Sequence, residues 1–343
     1  MTVRFKNYII VKDLAEGGFG KVQLALEKKQ LANRLVVIKT IKPSRLEDKQ
    51  FDTLFLEEIK AAFPLNHPNL TTIYDYGRHD DMLYCVMEFV DGVSLKELIT
   101  HMKKRKRKIP VPIISWIIKE AAQGLNYAHH FRDDFNDREM GLVHRDISPQ
   151  NIMVSFEGQV KVIDFGIAKT EDNEVKTQTG AVKGKPSYMS PEYVNGKKYD
   201  HRFDQFALGI VFWELLCGKP LFKAPSVVQT LRNVDKCEVP IPSSFRTSVP
   251  KSVDNVVMTM LNEKPKDRFS TLKECVKELD KYCVTQDTAD RTGVVKLLEK
   301  VYADERRGAG DRLRKKVSGA IIKDVMENMS PEEFDKIINK KKK

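Results

Sequence analysis

The chain has 343 residues, 41% hydrophobic and 31% charged, so it can bury a sizeable core in one large or two smaller domains, and a disordered tail is excluded. Lys+Arg 59 against Asp+Glu 48 gives a formal charge of +11, an excess that favours anionic partners such as nucleotides, nucleic acid, phospho-groups or membrane surfaces. The five cysteines (Cys85, Cys217, Cys237, Cys275, Cys283) form no CxxC pair and no metal-ligand spacing, which argues against a disulfide framework or zinc site and for a reducing compartment.

The segment Met1-Thr-Val-Arg-Phe-Lys6 reads as a charged, alternating strand rather than a signal peptide. The most apolar stretch, Phe206–Cys217, is too short to span a bilayer and contains Glu214. These features predict a soluble, cytoplasmic protein. From Tyr8 to Lys42 the pattern is strand-like, in Tyr8-Ile-Ile-Val11, Val22-Gln-Leu-Ala-Leu26 and the β-branched Leu35-Val-Val-Ile38, with Gly17, Gly18 and Gly20 between the first two. Phe51, Phe55, Ile59 and Ala62 then follow helical spacing up to His67-Pro68-Asn69. Strands are predicted around Leu70–Tyr76 and Met82–Phe89, ended by an Asp91-Gly92 turn. Residues up to about 90 thus form a small sheet with one principal helix.

Beyond Gly92 helical periodicity takes over, in Leu95–Ile99, Ile113–His129, Phe203–Cys217, Val227–Val234, Val253–Leu261 and Leu272–Tyr282, interrupted by strand-like pieces near 142–166. The polar stretch Phe131–Met140 reads as a surface insertion. Two basic runs, Lys103–Lys108 and Lys340–Lys343, stand out. The first is a solvated, mobile loop or a surface for an acidic partner, and it lacks the interleaved aromatics that single-stranded nucleic acid would stack on. In the charged segment 284–343, Leu313, Val317 and Ile321 keep a spacing of four, and Ser330-Pro331-Glu332-Glu333 has the form of a helix start. These faces need burial, so the segment is predicted to be a helical extension, packed back or bound to a partner.

Three pieces carry chemistry. Glycines in Glu16-Gly-Gly-Phe-Gly-Lys-Val22 let backbone N–H groups approach phosphates, although an ordinary hairpin turn uses glycine too. Lys39 ends an apolar strand, and Glu58 on the following helix can supply its carboxylate; alone, a surface lysine at a strand end looks the same. Val143-His-Arg-Asp-Ile-Ser-Pro-Gln-Asn151 sets a carboxylate and an amide five positions apart, and Asp164-Phe-Gly166 follows the strand Val160-Lys-Val-Ile163. A base for a hydroxyl proton, with Asn and Asp oxygens for Mg²⁺, is what phosphoryl transfer requires.

At these residues the sequence resembles the protein kinases, in particular the eukaryotic-type serine/threonine kinases that bacteria also carry. The resemblance runs over roughly residues 8–283, in the ordered motifs Gly17-Gly18-Phe19-Gly20-Lys21-Val22, Val37-Ile38-Lys39, His144-Arg145-Asp146, Asn151, Asp164-Phe165-Gly166 and Ser190-Pro191-Glu192. Asp204 and Arg268 resemble the family's helix-anchoring Asp and the Arg that pairs with Glu192. The resemblance implies an α+β, bilobal kinase fold: a β-rich N-lobe (8–90) with one main helix, a larger helical C-lobe (91–283) and a helical C-terminal extension (284–343). It implies ATP and Mg²⁺ as cofactors and protein substrates. The glycine loop, from Ala15 and Glu16 through Gly17, Gly18, Phe19 and Gly20 to Val22, covers the ATP phosphates; Lys39, held by Glu58, binds the α- and β-phosphates. Met87 is the gatekeeper, and the backbone of Glu88 and Val90 meets the adenine. Asp146 orients and deprotonates the acceptor hydroxyl, while Asn151 and Asp164 hold Mg²⁺.

The sequence departs from the family pattern at three positions. The first loop glycine is Ala15, the catalytic-loop lysine is Ser148, and the threonine of the substrate-facing loop is Lys185, in Gly184-Lys-Pro-Ser-Tyr-Met-Ser-Pro-Glu192. The last two positions face one another in the family, so Lys185 is a candidate catalytic cation replacing the one Ser148 lacks; the alternative is a tolerated loop serine and a surface lysine. Thr177 and Thr179 are candidate autophosphorylation sites whose phosphates would pair with Arg145 and Lys169. The alternative function is a pseudokinase or scaffold that binds nucleotide and signals by protein contact. A small-molecule kinase fits the Ser190-Pro191-Glu192 segment less well, and tyrosine specificity stays open, with Pro149 leaning toward Ser/Thr.

Overall fold

The computed structural model describes residues 4–17, 20–29, 32–41, 56–57, 59–80, 82–133, 137–165, 185–303, 315–321 and 323–324. The chain forms two compact units, one of Met1–Asp52, Ile73–Phe89 and Tyr302–Lys343, the other of Thr53–Thr72 and Val90–Val301.

The first unit is built on an antiparallel sheet of β1 (Arg4–Phe5), β2 (Tyr8–Gly17), β3 (Gly20–Lys28), β4 (Asn33–Ile41), β5 (Ile73–His79) and β6 (Met82–Glu88), in the order β1-β2-β3-β4-β6-β5. Burial alternates along β4, where Val36 and Ile38 are fully buried with Ala25, Tyr84, Val86, Phe5 and Tyr8 in one apolar cluster, whereas in β3 Leu24, Ala25 and Leu26 are all buried and the alternation expected there is absent. That face excludes water from its strands and fixes their register, since a one-residue slip would turn Val36 and Ile38 to the other side. At its rim the Arg34 guanidinium forks onto Glu27 at 2.6 and 2.9 Å and stacks 3.5 Å above the Tyr74 ring.

Gly20 has a packing reason to be glycine. Its φ is +156°, and a Cβ there would lie 1.8 Å from the Thr40 carbonyl oxygen on β4. Gly18 and Phe19 lie outside the described residues, as do Phe51, Phe55 and Glu58 of the predicted helix; its later part is present as helical residues 59–62, which group with the second unit and in which Ile59 is fully buried. Residues 302–343 group with the first unit; residues 315–321 and 323–324 are helical, and the 1%-exposed carboxylate of Asp324 lies 3.5 Å from Lys28. Leu313 and 330–333 lie outside the described residues.

The second unit is mostly helical: α1 (Leu95–Lys104), α2 (Val111–His129), α3 (Pro191–Val194), α4 (Arg202–Cys217), α5 (Val227–Lys236), α6 (Lys251–Met260), α7 (Leu272–Cys283) and α8 (Arg291–Val301). α2 and α4 are apolar on nearly every face and form the core, with α2 packed on α4 and α7. A small sheet, β11-β10-β7, joins β7 (Gly92–Ser94), β10 (Ile152–Ser155) and β11 (Val160–Val162). The predicted Asp91-Gly92 turn is corrected here: Gly92 opens β7, paired with Ser155, and a Cβ on it would meet the Val154 carbonyl oxygen at 2.2 Å. The insertion forms a hairpin of β8 (Arg132–Asp133) and β9 (Arg138–Glu139).

The basic run is solvated at all six positions, but it is not wholly a loop. A capping box between Ser94 and Glu97 starts α1, and the helix runs on through Lys103 and Lys104, whose charges sit at the negative end of its dipole. The extension 284–343 likewise begins inside this unit. α8 buries Val294, Leu298 and Val301, the Arg291 guanidinium donates to the Glu157 carbonyl oxygen at 2.6 Å, and the His101 ring lies 3.0 Å from the Val301 carbonyl oxygen. Among the described residues no helix is long and apolar enough to cross a membrane.

Candidate active site

The segment 143–151 follows α2 and the β8–β9 hairpin, and its path is set from beneath by Asp204 on α4. The two carboxylate oxygens of Asp204 accept the backbone N–H groups of His144 and Arg145 at 2.7 and 2.9 Å, and the one bound to His144 also accepts from His129 Nε2 at 2.8 Å. Burial pushes the Asp204 carboxyl up, but the hydrogen bond and charge of His129 outweigh it, so the group is held below the usual carboxylate value. This anchor holds Arg145 at φ 64°, a left-handed conformation that costs a non-glycine residue about 1–2 kcal/mol.

His144 ties the loop to the end of β11. Its Nδ1 accepts the Asp146 N–H at 3.2 Å, which leaves the proton on Nε2, and that N–H donates to the Ile163 carbonyl oxygen at 2.9 Å. Full burial pushes the His144 imidazole down, against the pull of Asp204, and so holds it neutral in this tautomer. The ring meets Phe165 edge-on, with centroids 4.8 Å apart. The Ile163 N–H in turn donates to the Asn151 carbonyl oxygen at 2.9 Å. Asp146, Asn151 and Asp164 are thereby brought together by backbone hydrogen bonds from both directions.

Between them the side chains are specific. Asn151 Nδ2 donates to the Asp146 carbonyl oxygen at 2.8 Å and to Asp146 Oδ2 at 2.9 Å. With its nitrogen so committed, the amide presents Oδ1 as its acceptor end. Asp164 stands at φ 57°, a second strained residue of the same constellation. Among the described residues no cluster of three or more His, Cys, Asp or Glu side chains could cage an ion. Magnesium that bridges phosphates needs no such cage, only one or two protein oxygens beside substrate and water. An oriented amide oxygen and one carboxylate fit that requirement.

Lys185 lies at the same place. Its ammonium donates to Ser148 Oγ at 2.7 Å and is 3.7 Å from Asp146 Oδ2. Farther along, Arg268 forks onto the Glu192 carboxylate at 2.8 and 2.7 Å with both side chains buried, the pairing the resemblance implied. The Tyr188 hydroxyl donates to Glu214 at 2.8 Å, and burial beside that carboxylate pushes the Tyr188 phenol far up.

In the first unit, strand register gathers most of the predicted nucleotide residues on one sheet face. Ala15 pairs with Val22, Val22 with Lys39, and Lys39 with Cys85, so these four side chains form one row. Met87, two residues from Cys85, is on the same face and buried, and Lys39 is half-buried. Glu88 pairs with Val36 at the end of β6, and Glu16 pairs with Lys21 beside Gly17. Val90, buried, belongs to the second unit. Glu58, Gly18, Phe19, Gly166, Lys169, Thr177, Thr179 and Gly184 lie outside the described residues.

Sequence reasoning missed two elements of this scaffold. In the sequence His129 is only the last residue of a helix, yet it completes the Asp204 anchor. Asn69 was read as part of a helix stop; its amide nitrogen donates to the Val160 carbonyl oxygen and to Glu120, both at 3.0 Å, and its carbonyl accepts the Val162 N–H at 2.8 Å, clamping β11.

Comparison with known proteins agrees with this geometry. The protein kinase domain profile matches residues 8–302. The chain is 34% identical over 276 residues to the tyrosine-protein kinase MasK of Myxococcus xanthus, covering 80% of this chain and 43% of that one. It is 34% identical over 268 residues to the serine/threonine-protein kinase PrkC of Bacillus subtilis, covering 78% and 39%. To the serine/threonine-protein kinase PknB of Mycobacterium tuberculosis it is 34% identical over 275 residues, covering 78% and 41%. The chain thus spans less than half the length of these relatives. A crystal structure of the Mycobacterium tuberculosis PknI kinase domain superposes with a TM-score of 0.62 at 26% identity, covering 82% of this chain and 98% of that one. The chain belongs to the protein kinase domain family.

Proposed function

We propose that the chain transfers the γ-phosphoryl group of ATP, with Mg²⁺, to serine and threonine hydroxyls of protein substrates. The observation that carries this reading is the Asn151–Asp146 hydrogen bond, 2.9 Å, which holds a carboxylate that can accept a proton beside an amide whose oxygen is left as its acceptor end. Asp146 accepts the proton of the attacking hydroxyl as the new O–P bond forms and the bond to ADP breaks. Asn151 and Asp164 would hold Mg²⁺, which when bound neutralises charge on the β- and γ-phosphates. Lys39 meets the α- and β-phosphates, with Glu58 as its carboxylate partner. The glycine turn from Ala15 to Val22 covers the phosphates, Met87 bounds the adenine pocket, and the backbone of Glu88 and Val90 hydrogen-bonds the base. With little covalent work to do, the protein accelerates transfer by position and by fixed charge.

The names of PrkC and PknB support serine and threonine as acceptors. Five free cysteines, three of them buried, suit a reducing cytoplasm. The exposed run 103–108 offers an acidic partner a complementary surface. Incubation with radiolabelled ATP, Mg²⁺ and a generic protein substrate, followed by phosphoamino-acid analysis, tests the reading. Label on phosphoserine and phosphothreonine supports it; label on phosphotyrosine alone overturns the acceptor assignment, and no label overturns the transfer.

A further inference from the structure

Lys185 stands immediately before the short turn Pro186–Tyr188, and that turn is fixed. Its Tyr188 N–H donates to the Lys185 carbonyl oxygen at 3.0 Å, and the Tyr188 hydroxyl is bonded to Glu214 of α4 at 2.8 Å. From this base the Lys185 side chain reaches to the Ser148 hydroxyl at 2.7 Å and stands 3.7 Å from Asp146 Oδ2, only a third exposed. Ser148 is buried, so its hydroxyl is a fixed acceptor and not a chance surface contact. A long ammonium side chain held at two points beside one carboxylate is positioned rather than merely solvated.

Distance decides what it can reach. An acceptor hydroxyl bound to Asp146 lies about 3 Å from that carboxylate. The phosphorus it attacks lies about 3–3.5 Å farther along. An ammonium 3.7 Å from the same carboxylate is close enough that its flexible stem can carry it to the phosphoryl oxygens as they pass. Ser148, two residues after Asp146, carries no charge of its own to offer there.

We propose that Lys185 supplies the cation that stabilises the transferring phosphoryl group, and that the Ser148 hydroxyl is its positioning partner. This inference rests on the phosphotransfer reading above. Charge placed in advance where negative charge develops strengthens in the transition state, so its removal lowers kcat while leaving ground-state binding nearly unchanged.

The test compares the native chain with Lys185→Thr, Ser148→Lys and the double exchange, reading kcat, KM for ATP and melting temperature. Lys185→Thr is expected to lower kcat about 100-fold, with KM for ATP within about twofold and an unchanged melting temperature. The double exchange, which returns an ammonium from the opposite side, is expected to regain at least about tenfold over Lys185→Thr. A Lys185→Thr chain within about threefold of native kcat overturns the inference. So does a loss that the double exchange leaves unrepaired, because the effect then belongs to the shape of Lys185 and not to its charge. If Lys185→Thr melts early, Lys185→Met keeps the stem and reads the charge alone. A native chain that transfers no phosphate refutes the phosphotransfer reading itself, whereas an active native chain with an active Lys185→Thr refutes only the role of Lys185.

Discussion

The Asp204 carboxylate accepts the backbone N–H groups of His144 and Arg145 at 2.7 and 2.9 Å, so a buried residue of α4 dictates the course of the loop that carries Asp146. Replacing Asp204 by Asn keeps the shape and removes one acceptor oxygen, turning an N–H donor toward the His144 N–H. A buried donor left without its partner costs about 1–3 kcal/mol, more when the lost acceptor was charged. Urea unfolding of Asp204→Asn is expected to show a loss of about 3 kcal/mol, with reduced phosphate transfer because the loop that carries Asp146 loses its hold at His144. Native-like stability in this variant contradicts the anchoring role.

His144 gives the fold a sensitivity to acid. Burial holds its folded-state pKa below the ordinary histidine value of 6.5, so the unfolded chain binds the proton more readily. The stability this neutral ring contributes is fully present above that value and is lost as pH falls through the folded pKa. Asp204, also depressed, adds a second loss at lower pH, as pH falls below the usual carboxylate value of 3.8. Urea midpoints measured from neutral pH downward are expected to fall for the native chain and to fall less steeply for His144→Asn, which has no proton to take up. Equal slopes refute the assignment.

Gly20 and Gly196 separate close packing from backbone conformation. Gly196, at φ +64°, has nothing within 4 Å of an added Cβ, so Gly196→Ala is expected to cost only the left-handed penalty of about 1 kcal/mol. At Gly20 the added Cβ would lie 1.8 Å from the Thr40 carbonyl oxygen, and β3 must move away from β4 to admit it. Gly20→Ala is expected to cost clearly more than Gly196→Ala in the same unfolding assay, and equal costs contradict the packing argument.

Much of this was legible in the residues. Tyr8-Ile-Ile-Val11 and Leu35-Val-Val-Ile38 declare strands because alternate positions face one buried cluster, and α2 and α4 declare themselves by length and apolarity. The spacing of Asp146, Asn151 and Asp164 gave the chemistry, because a tight loop and an apolar strand leave few places for those oxygens to go. What could not be read was set by distant partners. Nothing local to Gly92 reveals that Ser155 pairs with it, and nothing around His129 points to Asp204; that Lys185 ends beside Ser148 was legible only through the family resemblance. Helix ends slipped as well: α1 runs five residues past Ile99 to Lys104, with Met102 buried and the last-turn lysines at the negative end of its dipole.

The most direct test of the central claim is the initial rate of phosphate transfer from radiolabelled ATP by the native chain and by Asp146→Asn, which preserves the acceptor for Asn151 but cannot take the hydroxyl proton. The account predicts transfer by the native chain and a fall of about 10²–10⁴ in the variant with nucleotide binding retained. Undiminished transfer by Asp146→Asn would mean that the carboxylate held by Asn151 is not the group that accepts the proton.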